Sequence, residues 1–332
     1  MTINHQIRLA CHPVGIPKQS DWSLMKEPIR DIADGEVLVQ NYYISVDPAM
    51  RGWVKDIESY VPPVKIGEVM RALTVGEVIK SNRDEFSEGD FIAGWDGVQE
   101  YNLSDGKMLT KVDTSIAPLH TYLNTLGIAG LTAYSGLHQI GKPDPGQTIL
   151  VSGAAGSVGA HVGQLGKIHG CRVVGVAGNP DKCRYLKELG FDATVDYKSG
   201  DLSRLVAEAC PDGIDVFFDN IGGEILDVGL ANINQGARIV LCGRISDINA
   251  AAPGPGPQNY FALTIKRARM EGFIYMDYRD KFPEMISKMS QWIADGRITC
   301  KSDIVEGGVS LFPEVFPRLF SGENFGKLMI KV

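Results

Sequence analysis

Two textures of apolar and polar positions meet near residue 125. In residues 1–125 the apolar residues come in short runs: Glu36-Val37-Leu38-Val39-Gln40, Leu73-Thr74-Val75-Gly76-Glu77-Val78-Ile79 and Phe91-Ile92-Ala93-Gly94. Turns at Asp34-Gly35, Glu88-Gly89-Asp90 and Asp96-Gly97 separate them. Short strands with glycine turns predict a small β-barrel-like domain. From about 147 to 295 the pattern becomes strict alternation. Apolar strands end near Ser152, Ala177, Asp196, Asp219, Leu241 and Tyr275, and helical segments follow at 157–169, 180–189, 201–210, 223–232, 258–268 and 279–295. Six strands with helical crossovers predict a doubly wound parallel sheet. Residues 310–332 return to β texture and end in Lys327-Leu328-Met329-Ile330-Lys331-Val332. A terminal strand there is expected to pair back into the first domain. The predicted class is therefore α/β, with a discontinuous β-rich domain (1–125 and 300–332) and a parallel-sheet domain (126–299).

The first predicted parallel strand, Ile149-Leu150-Val151-Ser152, runs into Gly153-Ala154-Ala155-Gly156-Ser157-Val158-Gly159. Among 38 glycines in 332 residues, three at this spacing arise by chance roughly half a time per sequence. Context makes the motif specific, because it follows a strand, opens a helix and begins the alternating region. Gly156 would let the backbone approach a pyrophosphate, and Gly159 would let helix and strand pack closely. Ser157 and Val158 lie in the first helical turn, whose free N–H groups favour an anion. Ala154 departs from the dinucleotide fingerprint, which has its first glycine there.

An NAD site carries Asp or Glu about 20 residues further on, for the ribose 2′-hydroxyl. Here the second strand ends in Gly178-Asn179 with no acid at its tip. Asn179-Pro180 reads as a helix cap and first position. Lys182 then falls in the first turn, where its charge opposes the helix dipole unless a phosphate sits nearby. Tyr197, at the tip of the third strand, is placed to add a hydroxyl. Asp181 argues locally against a phosphate, and Lys182 is expected to screen it. The expected cofactor is NADP(H). Asn220, at the tip of the fourth strand, lies at the sheet edge where ligands bind.

Composition narrows the class. Apolar residues make up 44%, charged residues 22%, and the net charge is −7. No basic run offsets that charge, which argues against nucleic acid. The most basic patch, Lys266-Arg267-Ala268-Arg269, reads as a helix end beside a strand. No apolar stretch is long enough for a signal peptide or a membrane span, so a cytoplasmic protein is expected. The six cysteines (11, 171, 183, 210, 242 and 300) include no C-x-x-C pair and read as free thiols, mostly buried.

Zinc-dependent alcohol dehydrogenases polarise a carbonyl with a metal held by Cys, His and acidic ligands. In this chain 44–51 has neither Cys nor His, and Gly67-Glu68-Val69-Met70-Arg71-Ala72 stands where a Gly-His-Glu segment would be expected. Without a Lewis acid, reducing an isolated carbonyl is harder. Hydride delivery to the β-carbon of an enone is easier, because the charge spreads as an enolate that a hydroxyl can stabilise and a hydroxyl or water can protonate.

Several motifs carry a resemblance. They are Ser45-Val46-Asp47-Pro48-Ala49-Met50-Arg51-Gly52-Trp53, Gly130-Leu131-Thr132-Ala133-Tyr134, the 153–159 motif, Phe218-Asp219-Asn220-Ile221-Gly222-Gly223, Arg269-Met270-Glu271-Gly272-Phe273 and Asn324-Phe325-Gly326-Lys327. Over nearly its whole length the chain resembles the zinc-independent medium-chain dehydrogenase/reductase family. That family contains leukotriene B4 12-hydroxydehydrogenase/prostaglandin reductase, the plant double-bond reductases and bacterial curcumin reductase. The resemblance implies a GroES-like β-rich catalytic domain, a Rossmann domain, and usually a homodimer. It matches Lys182 and Tyr197 to the 2′-phosphate positions. Asn220, Cys242, Gly243, Arg244, Ile245, Ser246, Phe273, Ile274, Tyr275 and Asn324 match cofactor-lining positions, although Cys242-Gly243 also reads as a strand end and Phe273 as core.

For the proton donor, the resemblance points to the loop Ser59-Tyr60-Val61-Pro62-Pro63. Tyr60 is the first candidate among 11 tyrosines, against a packing role, and Tyr260 is the second. The expected activity is NADPH-dependent reduction of the C=C bond of α,β-unsaturated ketones or aldehydes, metal-independent, on a small-molecule enone or enal. An NADPH:quinone oxidoreductase and a non-catalytic NADPH-binding redox sensor are the competing readings.

Overall fold

The computed structural model describes residues 2–252, 254–299 and 301–332. These form two compact units, Met1–Asn124 with Ser302–Val332, and Thr125–Lys301.

The first unit is built from β1 (Ile3–Leu9), β2 (Trp22–Pro28), β3 (Val37–Ser45), β4 (Thr74–Ser81), β5 (Phe91–Gly94), β6 (Tyr101–Ser104) and β7 (Thr110–Lys111), with one short helix, α1 (Met50–Trp53). The second unit opens with α2 (Ile128–Ser135) and then alternates. Its elements are β8 (Thr148–Val151), α3 (Ser157–Ile168), β9 (Arg172–Ala177), α4 (Pro180–Glu188), β10 (Ala193–Asp196), α5 (Leu202–Ala209), β11 (Ile214–Asp219), α6 (Gly223–Ala231), β12 (Ile233–Leu241), α7 (Ala262–Lys266), β13 (Arg269–Gly272) and α8 (Phe282–Ala294). The chain then returns to the first unit with β14 (Ser302–Glu306) and β15 (Lys327–Lys331).

In the first unit β1 and β2 form an antiparallel pair, and a seven-stranded sheet runs β14-β15-β3-β4-β5-β7 with β6 also on β3. The C-terminal strand does pair back, antiparallel to β3 with Met329 opposite Ser45. The stretch before it is not β structure. Residues 309–321 are short helical turns. Phe312, Val315 and Phe316 recur at helical spacing and are fully buried. Trp22 packs edge-on against Phe312 and Phe316, at 5.1 and 6.1 Å between ring centroids. Helical periodicity of large apolar side chains explains the difference from the expected strand texture.

The motif at 45–53 also has a local cause. Ser45 donates to Asp47, and Lys327, 2% exposed, pairs with the same carboxylate. The last strand is thereby tied to Asp47, three residues before α1 begins.

In the second unit six parallel strands lie in the order β10-β9-β8-β11-β12-β13. This is the 3-2-1-4-5-6 order of the Rossmann fold. Val174, Val176, Phe217 and Ile239 belong to one buried cluster beneath the helices. The sixth strand ends at Gly272, three residues before the expected Tyr275, which starts a 3₁₀ turn. The basic patch at 266–269 is a helix end, with Arg267 in the left-handed conformation.

Among the described cysteines, Cys171 and Cys210 are buried, Cys183 and Cys242 partly buried, and Cys11 exposed. Cys11 is the exposed exception among the described cysteines to the expected mostly buried thiols, and its thiol donates to Asp21 Oδ1 at 3.3 Å. Cys300 and Pro253 lie outside the described residues. No helix among the described residues is long and apolar enough to cross a membrane.

Candidate functional site

In the second unit three loops converge at the C-terminal edge of the sheet. The first joins β8 to α3. Gly153 turns there with φ +57°, and Gly156 caps the helix in extended conformation. A Cβ on Gly159 would lie 2.5 Å from the Gly153 carbonyl oxygen and 2.7 Å from Ala154 Cα. Only glycine lets the helix start this close to the strand. Ala154, the departure from the fingerprint, is completely buried and its amide donates to the Val176 carbonyl at 3.0 Å. The first turn of α3, with Ser157 and Val158, carries amides that have no intrahelical acceptor.

The second loop follows β11. Asp219 accepts from Ser152 Oγ at 2.6 Å and from the Gly222 amide, and burial raises its carboxyl above the ordinary range. Asn220 Nδ2 donates to the Ser152 carbonyl at 2.7 Å, joining the β8 and β11 tips at the point where strand order reverses. The third loop follows β12. The amides of Cys242 and Gly243 donate to the Asp219 carbonyl at 2.9 and 3.2 Å, and Ser246 N donates to the Ile221 carbonyl at 3.0 Å. A Cβ on Gly222 would meet Arg244 Cγ at 2.9 Å. Burial, reinforced by Asp219, pushes the Cys242 thiol up to about 12, so it stays protonated. Arg244 Nε pairs with Asp247 at 2.6 Å, and the Asp247 carboxylate also accepts from the Gly254 amide at 3.2 Å. These contacts tie Arg244 and Gly254 to Asp247.

A cationic corner lies beside this edge. Asn179 caps α4 by accepting from the Lys182 amide at 2.8 Å. The Tyr197 ring lies against Gly178, where a Cβ would be 2.8 Å from Cε1 and 3.0 Å from the hydroxyl. Lys198 stands over the Tyr197 ring, with Nζ 5.6 Å from its centroid. Burial and then the Lys198 charge lower the Lys182 ammonium below its ordinary value. Two cations crowding one corner favour an anion there. Asp181 does not oppose it, for a different reason from the one expected. Its carboxylate pairs with Arg184 at 3.0 Å, one helical turn on, rather than being screened by Lys182. Lys198 was missed in the sequence. The signal was present, since it follows Tyr197 at the same strand tip.

The remaining expected residues divide. Phe273 packs edge-on against Phe218 at 6.3 Å, and Tyr275 stacks on Phe282 at 5.7 Å, so both rings take part in packing within the unit. Ile274 lies between them, partly buried. Ile245 is partly buried in the third loop. Tyr260 is 62% exposed on a 3₁₀ turn anchored through Asn259, whose amide donates to Asp227 Oδ1 at 2.7 Å. Asn324 belongs to the first unit, where its Nδ2 reaches the Gly326 carbonyl at 3.4 Å.

Tyr60 also belongs to the first unit and is 48% exposed, on the loop after α1. Its hydroxyl accepts from Trp53 Nε1 at 2.9 Å. Arg71 lies 5.8 Å from the Trp53 ring centroid and donates to the Pro62 carbonyl at 2.8 Å. Burial pulls its guanidinium below the ordinary value, against the attraction of Glu68 and Tyr60. Among the described residues no three His, Cys, Asp or Glu side chains gather as a metal site.

The two units correspond to two family matches. Residues 5–112 match the family described as N-terminal domain of oxidoreductase, and residues 157–291 match zinc-binding dehydrogenase. The NADPH-dependent curcumin reductase of Escherichia coli (strain K12) is 41% identical over 335 residues, covering 99% of this chain and 97% of that one. The NADP(+)-dependent 2-alkenal reductase of Nicotiana tabacum is 38% identical over 336 residues, with 99% and 97% covered. The chain belongs to the zinc-independent medium-chain dehydrogenase/reductase family. A member of known structure, CurA from Vibrio vulnificus in complex with NADPH, matches with a TM-score of 0.93 and 40% identity over 99% of both chains. A quinone oxidoreductase from Pseudomonas syringae pv. Tomato DC3000 matches at a TM-score of 0.80 with 19% identity, a likeness of fold alone.

Proposed function

We propose that this protein reduces the C=C bond of α,β-unsaturated ketones and aldehydes with NADPH, without a metal, and that Tyr60 acts on the carbonyl oxygen of the substrate. The observation that carries the reading is the Tyr60 hydroxyl, held by an indole N–H at 2.9 Å on a loop where Ile57 and Pro62 are also exposed. It is a hydroxyl donor, which suits an enolate better than an isolated carbonyl. Two relatives named as NADP-dependent reductases of curcumin and of 2-alkenals support the substrate class.

The residues present fit NADP(H). The glycine cradle at 153–159 accommodates a pyrophosphate at the α3 N-terminus. Lys182, Lys198 and Tyr197 suit the 2′-phosphate. Asn220, the 242–246 loop, 273–275 and Asn324 are assigned to the rest of the cofactor. NADPH, when bound, supplies the hydride. The protein orients the substrate oxygen toward Tyr60, spreads the developing charge into that hydrogen bond, and passes a proton from Tyr60 or water to the α-carbon. Tyr260, exposed on its turn, is the second donor candidate. In this assignment the first unit is the catalytic domain and the second the cofactor domain.

The test is NADPH consumption by purified protein over a panel of enones, enals and quinones, with and without a chelator. Turnover of enones and enals that survives chelation is expected, with well under one zinc per chain. Stoichiometric zinc with chelator-sensitive activity would overturn the mechanism. Preference for quinones, or tight cofactor binding without turnover, would replace the function.

The assembly we propose is a homodimer. β13 ends the Rossmann sheet, and Arg269, Glu271 and Gly272 on it are exposed. An edge strand with its backbone groups available is a template for pairing with a second copy. Sedimentation should show a dimer at micromolar concentration, and a purely monomeric species would contradict it.

A further inference from the structure

Trp53 holds the 54–63 loop at two points. Its carbonyl accepts from Val64 N at 2.8 Å and closes the base of the loop. Its indole Nε1 donates to the Tyr60 hydroxyl and holds the exposed part. The indole is itself fixed, being 2% exposed and packed against Trp95 with centroids 5.5 Å apart. The Arg71 guanidinium lies over its face, and the same guanidinium reaches the Pro62 carbonyl in the loop. A phenylalanine would fill much of the same buried space. The indole nitrogen therefore adds something that packing does not require, a directed donor to one hydroxyl.

We infer that Trp53 is a positioning residue for Tyr60, supported by Arg71. The indole N–H occupies one lone pair of the phenol oxygen and turns the phenol's own hydrogen toward the substrate oxygen. A phenol carries one donor and acceptor capacity at the same atom, so one fixed bond restricts where the other points. Accepting a hydrogen bond also strengthens the one the hydroxyl donates. In the protonation step the Tyr60 O–H bond breaks as a C–H bond forms at the α-carbon of the enolate. The electron pair stays on the phenol oxygen, where the indole N–H already donates and the nearby Arg71 charge is attracted to it, and water then restores the proton. Donors placed before charge develops need no reorganisation when it does.

The inference rests on the assignment of Tyr60 above, and the two fail differently. The experiment is a double-mutant cycle of Trp53→Phe and Tyr60→Phe, with kcat for a simple enone and NADPH affinity by fluorescence titration. With Tyr60 intact, Trp53→Phe should lower kcat about 3- to 10-fold, the scale of one neutral hydrogen bond, and leave NADPH affinity unchanged. In the Tyr60→Phe background it should cost nothing further. An equal loss in both backgrounds would mean that the indole only packs, and no loss with Tyr60 intact would also overturn the positioning role. Arg71→Met keeps the aliphatic stem of a partly exposed residue and should repeat the pattern, which carries the test should Trp53→Phe fold poorly. If Tyr60→Phe alone leaves kcat unchanged, the assignment of Tyr60 falls first.

Discussion

Tyr60→Phe should lower kcat for a simple enone by about 10- to 1,000-fold, the upper end being typical of one lost oxyanion donor. The substitution keeps the ring and removes one oxygen, so folding should change little. The lost interaction is stronger in the transition state than in the ground state, and such a loss appears in kcat rather than in cofactor binding. A smaller effect within that range is expected where Tyr260 or water takes over donation. Steady-state kinetics and an independent fluorescence titration of NADPH separate the two quantities. The assignment would be lost if kcat were unchanged while a deuterium isotope effect showed hydride transfer to limit the rate.

Lys182→Ala should raise KM for NADPH by about 10- to 100-fold and KM for NADH very little. A charge-assisted contact to a phosphate is worth about 1.5–3 kcal/mol, and each 1.4 kcal/mol is tenfold. Burial and then the Lys198 charge disfavour the charged form of Lys182 in the protein, so the alanine variant removes that cost as well as a contact. The discrimination between cofactors, not the stability, is therefore the quantity to read. Equal effects on both cofactors would make Lys182 a bystander.

The parts of the fold legible in the sequence were those with a short-range cause. Buried parallel strands read as continuous apolar runs such as Ile149-Leu150-Val151. Asn179-Pro180 announces a helix start, and the capping bond is there. The need for glycine at 159 followed from the strand–turn–helix context and appears as the 2.5 Å approach to Gly153. Longer-range causes were not legible. Residues 310–332 read as β texture throughout, although Phe312, Val315 and Phe316 have helical spacing and the packing of Trp22 decides the matter. The pairing of Asp181 with Arg184 follows i,i+3 spacing, but the adjacent Lys182 is a nearer cation in the sequence and hides it. Trp53 closes the 45–53 motif. Its contact to Tyr60 spans a loop, and no periodicity signals such a contact.

The most direct test of the proposed chemistry is the destination of the hydride. NADPH carrying deuterium at the transferable position of the nicotinamide is incubated with the protein and an open-chain enone in ordinary water, and the product is examined by NMR. The account predicts a saturated ketone with one deuterium on the β-carbon and a solvent-derived hydrogen on the α-carbon. An allylic alcohol with deuterium on the former carbonyl carbon would contradict it.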